Sequence, residues 1–347
     1  MRAAKALIST ALAFHFACVN SVEEERQKLD VTLQELESPT GASIRGIWVV
    51  DSLCIWMSGS SGTVIRSTDG GDHWQLIPPP DEDSLDFRDV HAFSRASALL
   101  VSAGFPARVY YTSNSGEDWE LVYENMDSSA FMNSVHFKDA KHGLIVGDVL
   151  NKYHFILESK DGGLNWRRVD SAKIAAPLQV EHAFAASGSC ISTTENGAYV
   201  IAFGGRKSRV LVQEGDRYEA VELPLNDTSS SSGIYSIAAA GDRLMTAGGD
   251  YTQADQEWPC IYSLDGGKHW QVETSGYHGY RSVIDYSAGM DVWLAAGLNG
   301  VDLYSMKDSS WSKVANVPLN TLQFDRFAGL AWAAGPHGKL YKIHLRR

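Results

Sequence analysis

Short apolar segments alternate with glycine turns along the whole chain. Residues 57–74 predict a strand, a glycine turn, a second strand and then a tight turn that ends in a tryptophan. Further copies of this pattern occur along the chain, some of them shortened. Copies at intervals of about 40 to 60 residues are typical of a β-propeller, in which each repeat forms one four-stranded sheet. The glycines that open the seven copies are Gly59, Gly104, Gly147, Gly204, Gly248, Gly297 and Gly335.

The turn that closes a repeat reads Ser-x-Asp-x-Gly-x-x-Trp in its best copies, at residues 67–74, 159–166 and 263–270. These turns match the Asp-box, or BNR, repeat. The carboxylate accepts hydrogen bonds from its own turn, the glycine supplies a positive φ, and the tryptophan packs on the next sheet. Because each turn satisfies itself, we interpret the boxes as structural and not as ligand or metal sites. The structural box residues are Asp69, Trp74, Trp119, Asp161, Trp166, Asp265 and Trp270.

The two ends of the repeat region complement one another. Residues 28–34 alternate apolar and polar side chains and predict a strand that belongs to no repeat, while the last repeat has only three strands. We expect the early strand to complete the last blade, which removes two sheet edges. The predicted fold is therefore all-β, a single seven-bladed propeller of four-stranded blades over residues 28–347. The fourth repeat is the least regular, and we place its insertion at residues 192–197.

The start of the chain predicts a targeting segment. Arg2 and Lys5 precede an apolar run, so residues 1–21 are expected to be a signal peptide and the protein to be exported, to the periplasm or the cell surface. Two alternatives stay open for the segment around its end. Either Cys18 is lipidated and residues 22–27 form a tether to the membrane, or these residues are a plain flexible terminus.

The composition of the chain limits the classes of partner that we expect it to bind. The chain has 347 residues, with 42 acidic against 30 basic side chains and a formal net charge of −12. This charge disfavours nucleic acid and anionic membrane surfaces as partners, since both attract basic proteins. No apolar run of about 18 residues occurs after the start of the chain, so we expect no membrane span. We expect a monomer.

The sequence offers few motifs for chemistry. No nucleophile elbow, zinc-protease motif or Cys-x-x-Cys occurs, and the glycine-rich stretches are not succeeded by a helix that would bind phosphate. His91 and His136 lie at equivalent strand positions, which favours packing over metal binding. We therefore expect no metal and no cofactor, and we expect buried free thiols at Cys54, Cys190 and Cys260.

One set of polar residues points to a binding site. Three arginines each precede an apolar strand residue by two positions, and the equivalent residues elsewhere are polar. If this innermost strand lines the axial channel, the ring brings the set together at one mouth, where guanidinium groups would bind a carboxylate or another anion. The alternative is that each arginine pairs with an acid such as Asp89 or Asp285 and joins blades. The candidate site residues are Arg45, Arg88, Asn133, Glu181, Tyr235 and Arg281, with Gln323 as the equivalent in the last blade.

The repeats at residues 44–48 and 65–74 and the closing segment at residues 330–340 resemble the photosystem II stability/assembly factor family. The resemblance covers residues 28–347. It implies an exported seven-bladed propeller without an established catalytic activity. We therefore expect a non-catalytic binding or assembly scaffold, whose partner is an envelope or extracellular protein or an anionic carbohydrate.

An Asp-box glycoside hydrolase, sialidase-like or β-glucanase-like, is the alternative, because sialidases combine Asp boxes with three arginines. Two features disfavour it. Arg45 is followed by Gly46 and not by the Ile-Pro of sialidases, and the repeats number seven where sialidases have six. The sequence leaves open whether the protein is an enzyme, with the balance against it.

Overall fold

The strands of this protein form seven antiparallel sheets around a common axis. Each sheet packs against the next, and the seventh packs against the first, so the ring is closed. The predicted all-β, seven-bladed propeller is confirmed. The structure is a computed structural model that describes residues 29–225, 229–273, 276–326 and 328–347. The expected signal peptide at residues 1–21, the tether at residues 22–27 and Cys18 lie outside these ranges.

The blades follow the order of the chain after a first strand, β1 (Asp30–Leu36). Blade 1 contains β2 (Ile44–Val49), β3 (Ile55–Gly59), β4 (Val64–Ser67) and β5 (Gln75–Leu76). Blade 2 contains β6 (Asp86–Ala92), β7 (Ala98–Ala103), β8 (Ala107–Thr112) and β9 (Glu120–Asn125). Blade 3 contains β10 (Met132–Phe137), β11 (Gly143–Leu150), β12 (Tyr153–Ser159) and β13 (Arg167–Arg168). Blade 4 contains β14 (Glu181–His182), β15 (Ile191–Thr193), β16 (Tyr199–Gly205), β17 (Arg209–Glu214) and β18 (Arg217–Glu222). Blade 5 contains β19 (Ser232–Ala240), β20 (Arg243–Asp250), β21 (Ile261–Ser263) and β22 (Gln271–Val272). Blades 6 and 7 contain β23 (Val283–Ser287), β24 (Val292–Gly297), β25 (Gly300–Ser305) and β26 (Ser310–Ala315); β27 (Thr321–Phe324), β28 (Leu330–Ala334) and β29 (Leu340–Arg346). Short 3₁₀ helices span Ser171–Lys173, Tyr251–Gln253 and Pro336–Gly338.

The first strand completes blade 7. β1 pairs antiparallel with β29, from Asp30 opposite Arg346 to Leu36 opposite Leu340. The closure predicted from the incomplete last repeat is thus confirmed. The observed strand lies two residues later than the predicted one, because its extent is set by the length of β29 and not only by the local apolar alternation.

The core lies between the blades. The second strand of a blade, such as β3 or β7, is buried along its whole length, whereas the outer strands β5 and β13 are exposed. Neighbouring blades cover both faces of the second strand, which explains its nearly continuous apolar sequence. The largest fully buried side chains include Trp56, Trp293 and Trp332. The free thiols of Cys54, Cys190 and Cys260 are buried there, as expected.

The Ser-x-Asp-x-Gly-x-x-Trp turns are internally hydrogen-bonded. Ser67 Oγ donates to Asp69 Oδ1 at 2.9 Å and accepts from the Gly71 backbone N–H at 2.8 Å, while Asp69 Oδ1 accepts from the His73 N–H. The turns ending at Trp166 and Trp270 repeat these bonds. The turn satisfies its own polar groups and therefore fixes the position of the tryptophan at its end.

Blade 4 departs from the others. Its inner strand is split into β14 and β15, which both pair with β16, and residues 183–190 lie between the two halves. We call residues 183–190 the axial segment. The insertion was predicted at residues 192–197 instead, but that stretch forms the ordinary hairpin between β15 and β16. The small and apolar sequence of the axial segment explains the error, because it resembles a strand.

Candidate functional site

The inner strands of four blades carry a β-bulge at the same place. The pairing register shifts between Ile44 and Gly46, and the same shift recurs in blades 2, 3 and 5. A bulge leaves one residue unpaired and changes the direction of its side chain. The residues at the four bulges are Arg45, Arg88, Asn133 and Tyr235.

The same position can be identified in blades 6 and 7. The glycine that opens a repeat packs against a backbone carbonyl, that of Ser43 in blade 1, Tyr280 in blade 6 and Pro318 in blade 7. The bulge residue of blade 1 lies two positions after this carbonyl. Counting in the same way gives Ser282 and Asn320, and neither had been predicted from the sequence. The bulge residues of blades 1, 2, 3 and 5, together with Ser282 and Asn320, line one cavity of about 550 Å³.

The axial segment forms the floor of this cavity. Its Ala185 carbonyl accepts a hydrogen bond from Arg88 Nη1 at 2.9 Å, and Gly188 O accepts one from Ser134 Oγ at 2.6 Å. Ser187 Oγ donates to Ser282 O at 2.8 Å. The segment thereby contacts blades 2, 3 and 6 across the axis. Phe184 and Ala186 of the segment also line the cavity, which makes the mouth a blind cup.

The two arginines of the cup differ in their partners. Arg88 forms an ion pair with Asp86 at 2.7 Å in addition to its bond to the axial segment. Arg45 is half-buried, and among the described residues no carboxylate lies within 4.0 Å of it. Burial, followed by the neighbouring Arg88 charge, lowers the pKa of Arg45, and the Asp86 carboxylate, which is ion-paired with Arg88, acts in the opposite direction. A guanidinium that is partly desolvated beside another cation, without a paired acid, is poised to bind an anion.

The opposite side of the cup carries an acid and a histidine. Asp148 Oδ1 accepts hydrogen bonds from Asn133 Nδ2 at 3.0 Å and from the Ala183 N–H at 3.2 Å. His182 Nδ1 lies 3.9 Å from Asp148 Oδ2, and both side chains line the cavity. The Asp148 carboxylate raises the pKa of His182. Asp148 was not predicted from the sequence, because it lies directly after the repeat's opening glycine, at a position that the repeat pattern does not mark as functional.

Aromatic side chains form the third wall. The Tyr235 ring stacks on Phe184 with centroids 3.9 Å apart, and Tyr280 packs edge-on against Tyr235 at 4.9 Å. Tyr235 OH donates to Ser231 O at 2.6 Å. Because Tyr235 and Tyr280 are only 2% and 4% exposed, they make a rigid wall and offer no open ring face to a sugar. Tyr251, at the rim, is exposed.

Two of the predicted site residues lie elsewhere. Arg281 is fully buried, pairs with Asp302 at 2.7 Å and lies one position before Ser282, the residue at this position of blade 6 that lines the cavity. Glu181 pairs with Arg209 and lies 3.5 Å from His154 of blade 3, one position before His182, which lines the cavity. Both form buried ion pairs, and the partner of Arg281 lies on β25 of the same blade, so this arginine pairs with an acid without joining two blades.

The acids proposed as arginine partners accept hydrogen bonds from backbone N–H groups instead. Asp89 accepts hydrogen bonds from the N–H groups of Val90 and Val135, and Asp285 accepts one from Phe324. Gln323, the residue predicted for blade 7, accepts one from the Val49 N–H.

His91 packs among aromatic rings, with its centroid 3.7 Å from that of Trp48 and 4.9 Å from that of Phe137. Burial lowers the pKa of His91, and it lowers the pKa of His136 to about 4. Both rings are therefore neutral near pH 7. Within the ranges that the structure describes, no group of three or more His, Cys, Asp or Glu residues could hold a metal ion. In the same ranges no helix is long and apolar enough to cross a membrane.

Fold and site together define a seven-bladed β-propeller with a blind polar cup at one mouth. No protein-family model matches the chain. The chain is 22% identical over 280 residues to the photosystem II stability/assembly factor HCF136 of Arabidopsis thaliana, with 74% of this chain and 64% of HCF136 covered. It therefore spans slightly less than two thirds of that relative. The resemblance to the assembly-factor family predicted from the repeat motifs is confirmed by this similarity.

Solved structures agree with the fold. A structure of YCF48 bound to D1 peptide superposes with a TM-score of 0.63 at 16% identity, covering 90% of this chain and 96% of the other. YCF48 from Cyanidioschyzon merolae gives a TM-score of 0.65 at 16% identity, covering 90% and 98%. At this level of identity the two structures establish the fold alone.

Proposed function

We propose that this protein is a non-catalytic binding or assembly scaffold that holds an acidic group of a partner protein in the cup. The observation that carries the proposal is Arg45, a half-buried guanidinium without a paired carboxylate at the edge of a cavity of about 550 Å³. The similarity to an assembly factor, and to YCF48 bound to a D1 peptide, supports a polypeptide partner.

The glycoside hydrolase alternative lacks its side chains in the cup. Most glycoside hydrolases need two carboxyl groups that face the scissile bond, and Asp148 is the one acid among the cavity-lining residues of the described chain. A sialidase-like site would need three arginines and a tyrosine nucleophile. Arg281 is buried outside the cup, and the hydroxyl of Tyr235 is engaged with Ser231 O. These features favour binding over catalysis.

The cellular setting is part of the proposal. Export to the periplasm or cell surface rests on the targeting pattern of residues 1–21, and an anchor at Cys18 would keep the ring at a membrane surface. The partner is then an envelope or extracellular protein. An anionic carbohydrate remains the second candidate because Arg45 would bind its carboxylate equally well, although Tyr235 and Tyr280 offer no open ring face.

The test measures binding of two peptides by calorimetry. The acidic probe is acetyl-Gly-Glu-Tyr-Glu-Gly-amide, and the neutral probe carries glutamine in place of both glutamates. The parent protein should bind the acidic probe, and Arg45→Gln should weaken this binding about tenfold or more, as expected for a lost charge-assisted hydrogen bond. Arg95→Gln is the matched control, because Arg95 pairs with Asp51 in exposed hairpins away from the cup. Equal binding by the parent and Arg45→Gln would refute the cup as the site.

A further inference from the structure

The net charge of the cup depends on whether His182 is protonated. Arg88 is compensated by Asp86, and the remaining fixed charges among the cavity-lining residues described are Arg45 and Asp148. With His182 neutral, the positive charge of Arg45 and the negative charge of Asp148 offset one another. With His182 protonated, the cup carries one net positive charge.

The surroundings of His182 are suited to hold that proton. Asp148 of β11 faces its ring at 3.9 Å, and the Phe184 ring packs at 5.8 Å from it. Glu181, the preceding residue, is the other charged group that acts on His182 among the described residues, and its carboxylate is engaged by Arg209. His182 and Asp148 are each about one third exposed, so water and protons reach the pair.

Asp148 is held in place independently of His182. Its Oδ1 is bound by the Asn133 side chain and by the Ala183 N–H, so the carboxylate stays at the cup wall whether or not the histidine is charged. A fixed acid at the wall repels an incoming anion unless a cation neutralises it. His182 is the group in position to do so.

From this arrangement we propose that the Asp148–His182 pair determines the affinity of the cup for anions, with one proton taken up on His182 when a carboxylate binds. The inference rests on the proposed function, since it describes the same cup. His182 and Asp148 act on the ligand through the charge of the cup, while Arg45 makes the direct contact.

The expected pH dependence is a case of linkage between proton and ligand binding. A bound carboxylate stabilises protonated His182, so the acidic probe binds more tightly below the pKa of His182 and more weakly above it. One unit charge at roughly 10 Å, at an effective dielectric constant of about 20 to 40, changes affinity about 4- to 15-fold. Between pH 6 and pH 8.5, where the probe's carboxylates stay ionised, the affinity should fall by about this factor. The neutral probe should show no such change.

Variants separate the charge effect from a structural one. His182→Gln should bind the acidic probe weakly at both pH values, and His182→Lys should bind it tightly at both. Asp148→Asn keeps an acceptor for the Ala183 N–H and removes the negative charge, so it should tighten binding at pH 8.5. A merely structural Asp148 would give the opposite sign. His73→Gln is the control, since His73 forms a similar pair with Asp69 at 2.7 Å in a box turn and should leave the profile unchanged.

The outcomes distinguish the two proposals. Binding that requires Arg45 but is independent of pH, or that weakens in Asp148→Asn, overturns the role of the pair and leaves the cup as the binding site. Binding that is indifferent to Arg45→Gln overturns both. A circular dichroism spectrum and melting temperature of each variant establish that it is folded before affinity is compared.

Discussion

The axial segment can be tested through Gly188. This residue has a φ of +68°, and a Cβ there would overlap the Asp89 carboxylate. The carboxylate cannot move away without loss, because the backbone N–H groups of Val90 and Val135 bind it at 2.8 and 2.7 Å. Gly188→Ala should therefore either displace the segment from the axis or break one of these bonds.

The magnitude has two parts. An alanine at positive φ costs roughly 1 kcal/mol. Leaving the buried N–H of Val90 or Val135 without its acceptor adds about 1–3 kcal/mol. The free energy of unfolding should thus fall by about 2–4 kcal/mol. Gly215→Ala is the matched control, because Gly215 has a φ of +64° in the same blade and open space where the Cβ would lie, so it should cost only the first part.

Urea unfolding, followed by tryptophan fluorescence, measures both variants. The ten tryptophans of the chain lie in every blade except blade 4 and therefore report loss of the whole ring. The difference between the two variants isolates the contact with Asp89. Equal losses of stability in Gly188→Ala and Gly215→Ala would refute the reasoning, since they would show that the segment does not press on this carboxylate.

Further predictions concern closure, packing and acid stability. Deleting the chain through Leu36 should leave β29 unpaired and cause aggregation or a markedly lower melting temperature, and an unchanged melting curve would contradict the closure. Trp166→Ala should cost about 3–5 kcal/mol of unfolding free energy because the side chain is buried against Phe137, whereas Asp161→Ala should cost about 1–3 kcal/mol, both measured in urea. Hydrogen bonds from His73 lower the pKa of Asp69 to about 2. In the equivalent turn, burial raises the pKa of Asp265, but hydrogen bonds from His269 outweigh this effect, so the pKa of Asp265 is also about 2. Both values lie below those of the unfolded chain, so the stabilising effect is complete above about pH 4 and is lost as pH falls towards 2. The double variant Asp69→Asn, Asp265→Asn should show a smaller drop in melting temperature over that interval than the parent, and an equal drop would contradict the role of the turns.

Much of the ring could be predicted because its determinants are local. The opening glycines, the box turns and the alternation around Leu33 each reflect contacts within a few residues or a strand edge that must be covered. The same reasoning found Arg45 and Arg88, since both lie at bulges that recur at equal distances from apolar strand residues.

The rest of the site depends on register, which the local pattern does not determine. Alignment on Val283 gave Arg281, but the bulge position is fixed by the carbonyl that meets Gly297, and this carbonyl belongs to Tyr280. The residue two positions later is Ser282. In blade 4 the glycine that meets the equivalent carbonyl, that of Val180, is Gly205 and not Gly204, so the residue at the mouth is His182 and not Glu181. The axial segment then interrupts the inner strand, and the Ser187–Gly188 pair within an apolar stretch was the available signal for this break.

The pairing of β1 with β29 has a consequence for how the protein is made. Residues 30–36 leave the ribosome first among the described strands, and their partners at residues 340–346 leave it last. The ring can therefore close only after residues 340–346 have been made, and the contact that closes it joins segments separated by nearly the whole described chain. Until then the early strand and the open edges of the forming blades need protection from one another and from other chains. The order of the strands along the chain thus makes closure of the ring the last step of folding.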